Sequence, residues 1–208
     1  LHPDLTAPVT VRDGVTVIRG VELQVEAEWG RLDLLGYGVE ETAALRAELD
    51  RLQTDRIDRA RRMTGRIEDR LGVDLDVSFD PGVGRPHVAR AVAESDADCD
   101  YTGAFERFMG DDGPCYVPRE VPSVDRGLGL LGEACPVVSL AHPFRYADID
   151  AALELAPELD GIERYYPYDV PVDEARLDEV IETHDLLATG GSDAHDRRLG
   201  IAGLDAEG

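Results

Sequence analysis

The chain has 208 residues, the length of one large α/β domain, and carries 44 Asp and Glu against 21 basic residues for a formal net charge of −23. Every basic residue is Arg, and neither Lys nor Asn occurs. Acidity at this level weighs against nucleic-acid binding driven by phosphate neutralisation. It is also the composition that keeps a surface hydrated in molar salt, where charges are screened within about 3 Å, so the charge is read as halophilic rather than as a statement about ligands.

The first third reads as strands: "VTVI" (15–18), "VELQVEAE" (21–28) and "RLDLLGYG" (31–38) are short, rich in Val and Leu, and punctuated by glycine. From Glu41 to Leu71 the apolar period lengthens to three or four, through Leu45, Leu49, Leu52, Ile57, Ala60, Met63 and Ile67. That spacing predicts one long amphipathic helix closed by Gly72. A short strand is expected at "DLDVSF" (74–79), ended by the turn residues "DPGVG". Helical patterns follow at "RPHVARAVAES", with Pro86 in its first turn, at "YTGAFERFMG", and at "SVDRGLGLLGEA", with Ser123 as N-cap. Strand and helix then alternate: "PVVSLAHP" (136–143), "DIDAALELA" (148–156), "GIERYY" (161–166), "DEARLDEVIETH" (173–184) and "LLATGG" (186–191). Such alternation predicts a parallel sheet, open or closed into a barrel, with reactive groups at the carboxyl ends of its strands. Cys99, Cys115 and Cys135 are too few and too far apart for a disulfide framework or a CxxC site. With no run of roughly 20 apolar residues and no basic-then-apolar leader, a cytoplasmic protein without a membrane partner is expected.

Metal-type residues gather at those strand ends. His142 closes "VVSLAH", Asp193 and His195 follow "LLATGG", and Glu22 and Asp33 lie in the two early strands. A single D-x-H arises often by chance, and a lone His after a strand is usually a hydrogen-bonded core residue. Two of the five histidines beside carboxylates at equivalent strand ends call for a common cause. Imidazole plus carboxylate is a ligand set for Zn²⁺, Mn²⁺ or Fe, whereas all-oxygen sets favour Ca²⁺ or Mg²⁺. Two such ions close together suit an in-line displacement at phosphorus.

The stretches "VIRGVEL", "RLDLLGYG", "GRPHVARAV", "AFERFMGDDGPCYVP", "VVSLAHP", "GIERYYP" and "LLATGGSDAH" occur in the order found in PHP (polymerase and histidinol phosphatase) domains. Over about Val15 to His195 the chain resembles the stand-alone metal-dependent phosphoesterases of that family. The resemblance implies a single PHP-type domain, a distorted (β/α)7 barrel built from residues 1–40 and 136–208 with a helical cap inserted at 41–135. It implies two or three divalent ions, Mn first and Zn, Fe or Mg next, held by Glu22, Asp33, His142, Asp193 and His195. It implies that Arg85 and His87 of "GRPH" act on the substrate phosphate, for which a guanidinium fork is suited. The implied substrate is a nucleotide or a short RNA or DNA end, as in nucleoside 3′,5′-bisphosphate phosphatases and 5′–3′ exoribonucleases.

Two features depart from the family. Asp33 stands where a His is usual, which shifts preference toward harder ions. The family's opening H-x-H strand and the strand ending in Asp-His are not in the chain, which begins "LHPDLTAPVT"; they are expected upstream of Leu1, and the barrel is expected to be incomplete at its N-terminus. His2 and His184 read as surface residues. Two further readings stay open: a non-catalytic PHP-fold module whose metal site is incomplete, and an amidohydrolase-type enzyme of C–N bonds, against which the Arg of "GRPH" argues. Oligomeric state is not legible.

Overall fold

The computed structural model describes residues 4–194. In chain order its elements are β1 (Val9–Arg12), β2 (Val15–Ile18), β3 (Gly20–Ala27), β4 (Gly30–Tyr37), α1 (Ala43–Leu71), α2 (Arg85–Glu94), α3 (Tyr101–Ala104), α4 (Val124–Ala134), β5 (Val137–Leu140), α5 (Ile149–Leu153), β6 (Gly161–Tyr165), α6 (Glu174–His184) and β7 (Leu187–Gly190). The chain divides into two compact units, one of Leu1–Leu45 with Val121–Gly208 and one of Arg46–Glu120. The division falls inside α1.

In the first unit, β1 and β2 form a hairpin whose turn, Asp13–Gly14, has positive φ at both positions (52° and 80°), as a tight primed turn requires. The main sheet has the order β3-β4-β5-β6-β7. Its β3, β4 and β5 pair antiparallel, while β5, β6 and β7 pair parallel. A closed (β/α)7 barrel is not found: among the described residues this is an open five-stranded sheet in which β4 runs against the other strands. The cause is local, because Ala27 pairs with Gly30 and a loop of Glu28 and Trp29 is far too short for a parallel crossover.

Alternation gives the sheet two unlike faces. Leu23 and Val25 of β3, Leu32 and Leu34 of β4, Val138 and Leu140 of β5 and Ile162 of β6 are buried. Each contributes about 1.5–3 kcal/mol by leaving water. Helix α4 packs on β3, β4 and β5, and Ser123 caps it by accepting the Arg126 N–H. Gly127 makes that approach feasible, since a Cβ there would fall 2.4 Å from Val25 Cγ1. Helix α4 thus belongs with the sheet, although the sequence pattern grouped it with the inserted helices. The opposite face is polar. Glu22 and Gln24 alternate with Leu23 and Val25, Asp33 stands opposite Gln24, and the Ser139 and Thr189 hydroxyls lie 3.0 Å apart.

The second unit is helical. Its core is built from Ala60 and Ile67 of α1, Val88 and Val92 of α2, and Phe108 and Met109 of a π-helical turn that follows α3. The strand expected at 74–79 is absent; the segment has no regular secondary structure, the Val77 N–H donates to the Leu75 carbonyl, and Leu75, Val77 and Phe79 pack on the helical core instead. No strand is described in this unit for them to pair with. No helix among the described residues is long and apolar enough to cross a membrane.

Candidate metal centre

Three residues predicted as ligands converge on the polar face of the sheet. Glu22 comes from β3, Asp33 from β4, and His142 from the turn that follows β5; one ligand atom from each lies within 4.8 Å of the others. His142 Nε2 is 3.7 Å from Glu22 Oε1 and 3.7 Å from Asp33 Oδ2. That separation exceeds a hydrogen bond. It suits two ligands that share one ion, which stand roughly 3–4 Å apart when each is about 2.1 Å from the metal. The donor set of two carboxylates and one imidazole therefore fits a divalent ion by type and by spacing.

The backbone places each donor. Antiparallel register sets Gln24 opposite Asp33, and Gln24 Nε2 donates to Asp33 Oδ1 at 3.2 Å, leaving Oδ2 toward the imidazole. The Tyr146 hydroxyl accepts the Asp33 N–H and donates to the Ala141 carbonyl, both at 2.9 Å, which ties β4 to the turn after β5. His142 adopts φ 29°, ψ 60°, a left-handed conformation that costs a non-glycine residue roughly 1–3 kcal/mol and recurs at functional positions. Its N–H donates to Glu163 Oε2 at 2.8 Å. Its Nδ1 is buried with no hydrogen-bond partner among the described residues. Burial acts to lower the His142 pKa, but the carboxylates of Glu22, Asp33 and Glu163 outweigh it and the net shift is upward. Burial raises the Glu163 pKa, against the pull of the His142 N–H.

Asp193 does not join the three-residue cluster. It too has positive φ, 43°, but its Oδ2 accepts from Arg145 Nη1 at 3.1 Å and from the Tyr166 hydroxyl at 2.9 Å. Arg145 also donates to the Tyr166 oxygen at 2.9 Å, and the rings of Tyr146 and Tyr166 flank His142 at 5.6 and 5.3 Å. His195 lies outside the described residues, as does His2. Arg85 and His87 are on α2 in the second unit. There Arg85 Nη1 donates to the Met109 carbonyl and to Asp111 Oδ1, and His87 Nδ1 accepts the Gly84 N–H at the start of the helix.

Sequence reasoning passed over Gln24, Arg145, Tyr146, Glu163 and Tyr166. Signals existed for some of them. Glu163 is the one acid in the strand "GIERYY", Gln24 is two residues from Glu22 on one strand face, and "AHPFRY" puts Arg145 and Tyr146 three and four residues after His142.

The fold and the site together define the class as an α/β protein with a candidate site for a divalent ion on the polar face of its sheet. Particular relatives agree with that class. The chain is 26% identical over 216 aligned positions to the 3′,5′-nucleoside bisphosphate phosphatase of Chromobacterium violaceum, covering 91% of this chain and 71% of that protein. It is 28% identical over 211 positions to a phosphoribosyl 1,2-cyclic phosphate 1,2-diphosphodiesterase of Eggerthella lenta, covering 92% and 80%. Among solved structures, a candidate metal-dependent phosphoesterase from Bifidobacterium adolescentis superposes with a TM-score of 0.70 at 24% identity, over 90% of this chain and 72% of that one, which is a likeness of fold. An amidohydrolase from Chromobacterium violaceum, whose structure holds sulfate and no metal, superposes with a TM-score of 0.68 at 25% identity, over 88% and 70%. No family model matches the sequence.

Proposed function

We propose that the protein is a metal-dependent phosphoesterase of the PHP type that hydrolyses phosphate esters of nucleotides or of oligonucleotide ends. The observation that carries this reading is the convergence of Glu22, Asp33 and His142 from three separate elements onto the polar sheet face. The two relatives, a phosphatase and a phosphodiesterase, support hydrolysis of a phosphate ester as the reaction. A divalent ion bound there supplies charge to the phosphoryl oxygens and acidifies water. The chain's own part is to hold and orient: Glu22 and Asp33 offer anionic oxygens, His142 offers Nε2, and Tyr146 and Gln24 fix the Asp33 geometry. Mn²⁺ is the proposed ion, because an Asp in place of a third imidazole favours harder metals.

The finer parts of the proposal rest on the PHP resemblance. They are completion of the sheet into a barrel, Asp193 and His195 as further ligands, Arg85 and His87 as phosphate-binding groups, exonucleolytic action on short RNA or DNA, and work in molar salt. The test is phosphate release from a nucleoside 3′,5′-bisphosphate with added Mn²⁺, in low and in molar KCl. Activity that disappears with EDTA and in His142→Ala is expected; equal activity in His142→Ala overturns the reading. The likeness to a protein named an amidohydrolase favours a second reading, C–N hydrolysis. Turnover of amide or cyclic-ureide substrates with no phosphate release would select it.

A further inference from the structure

We propose that Glu163 is a positioning residue that braces two strand-end turns, at His142 and at Gly191–Asp193, and through the first of them aims the His142 imidazole at the metal. The proposal rests on the reading that Glu22, Asp33 and His142 hold a divalent ion.

Glu163 lies in the middle of β6, between the strands that lead into the two turns. It is 5% exposed, a costly place for a carboxylate unless it answers specific donors. Its two oxygens face different turns. Oε2 accepts the His142 backbone N–H at 2.8 Å, at the residue whose left-handed backbone must be held by its surroundings. Oε1 lies against Gly191, where a Cβ would come within 2.7 Å of it. A side chain at this position would push Oε1 from its place, and the glycine stands two positions before Asp193, a second left-handed residue. The Gly191 N–H donates to the Tyr165 carbonyl at 3.0 Å, so β6 grips the second turn through main chain as well as through Glu163.

One carboxylate thus spans the feet of both turns while contributing no atom to the ligand cluster. An acid whose only task was to add negative charge near a cation would need neither the aimed Oε2 nor the space left at Gly191. The geometry assigns Glu163 a directional role: it receives the His142 N–H, and through that bond it fixes where the imidazole points.

Calorimetric titration of the purified protein with Mn²⁺, paired with thermal melts in EDTA, tests this. Wild type is expected to bind Mn²⁺ and His142→Ala is expected not to; if the two bind alike, the metal-site reading itself fails and Glu163 has nothing to position. Given that difference, Glu163→Ala should weaken Mn²⁺ binding by about 10–100-fold, the usual cost of losing a partner that orients a ligand. Gly191→Ala should do the same without touching Glu163, because the new methyl displaces Oε1. Glu163→Gln keeps an oxygen acceptor for the His142 N–H and should stay within about threefold of wild type. Unchanged affinity in Glu163→Ala and Gly191→Ala, with only a lowered melting temperature, overturns the proposal and leaves Glu163 a structural residue. Glu163→Gln as damaging as Glu163→Ala also overturns it, since charge rather than direction would then be what matters.

Discussion

Two equally buried basic side chains, one in each unit, find their partners in opposite ways. In the helical unit Arg59 is 6% exposed, and its guanidinium is satisfied by main chain: Nε and Nη2 donate to the Val117 carbonyl at 3.0 and 2.9 Å, and Nε also reaches the Pro118 carbonyl. In the sheet unit His142 is equally buried, 6% exposed, yet its Nε2 faces two carboxylates beyond hydrogen-bond distance and its Nδ1 has no partner among the described residues. A buried group whose donors are all answered holds a fold together. One that faces two carboxylates at 3.7 Å belongs to a donor set whose type and spacing suit a divalent cation.

The sharpest way to break this contrast is to exchange its consequences. His142→Ala should lower phosphoesterase kcat/KM on the order of 1,000-fold, about 4 kcal/mol of barrier, while its urea midpoint moves little, because Nδ1 has no partner among the described residues and Nε2 stands beyond hydrogen-bond distance of both carboxylates. Arg59→Ala should do the reverse. Leaving buried carbonyls without their charged donor costs about 3 kcal/mol of stability in urea unfolding, with kcat and KM of the folded enzyme unchanged at low temperature. If the first variant unfolds and the second abolishes turnover, the division between a structural and a functional buried side chain is wrong.

The same contrast explains what the sequence discloses. Strands β3 to β7 and helices α1, α2, α4 and α6 are visible because each carries a local signal: alternation in "VELQVEAE", a three-to-four period from Leu45 to Leu71, and Ser123 before an apolar run. Glu22, Asp33 and His142 are visible because metal chemistry needs those residue types at strand ends. The strand-helix alternation does not disclose that β4 runs antiparallel; that follows from the two-residue loop of Glu28 and Trp29, which is too short for a crossover. The strand expected at 74–79 fails for a nonlocal reason: alternation within "DLDVSF" says nothing about whether a neighbour exists to accept its hydrogen bonds. The role of Glu163 depends on a main-chain N–H just past the end of the neighbouring strand β5, which no periodicity encodes.

A smaller effect sharpens the comparison within the sheet unit, between its apolar face and its polar one. Gly127→Ala drives a methyl to within 2.4 Å of Val25 Cγ1, so α4 must lift from β3. Overpacking of this kind should cost about 2 kcal/mol in urea unfolding. Mn²⁺ affinity should be unchanged, since Glu22 and Gln24 occupy the other face of the same strand. A parallel loss of metal affinity would mean that the two faces are mechanically one.

The smallest expected effect also belongs to the apolar side. Burial pushes the Cys135 thiol up to about 11 from an ordinary value near 9, so the folded chain keeps its proton where the unfolded chain releases it. A group whose folded pKa is raised contributes stability that is fully present below the unfolded pKa and is lost as pH rises through the folded one. Between pH 8 and 10 the unfolded thiol ionises while the folded thiol stays neutral, and unfolding free energy should fall by about 1 kcal/mol. Urea titrations of wild type and Cys135→Ala across that window isolate the contribution, because the variant should lose less stability by that amount. An identical slope in both proteins would mean that the Cys135 thiol ionises as readily in the folded chain as in water, and that the face under α4 is wetter than its burial indicates.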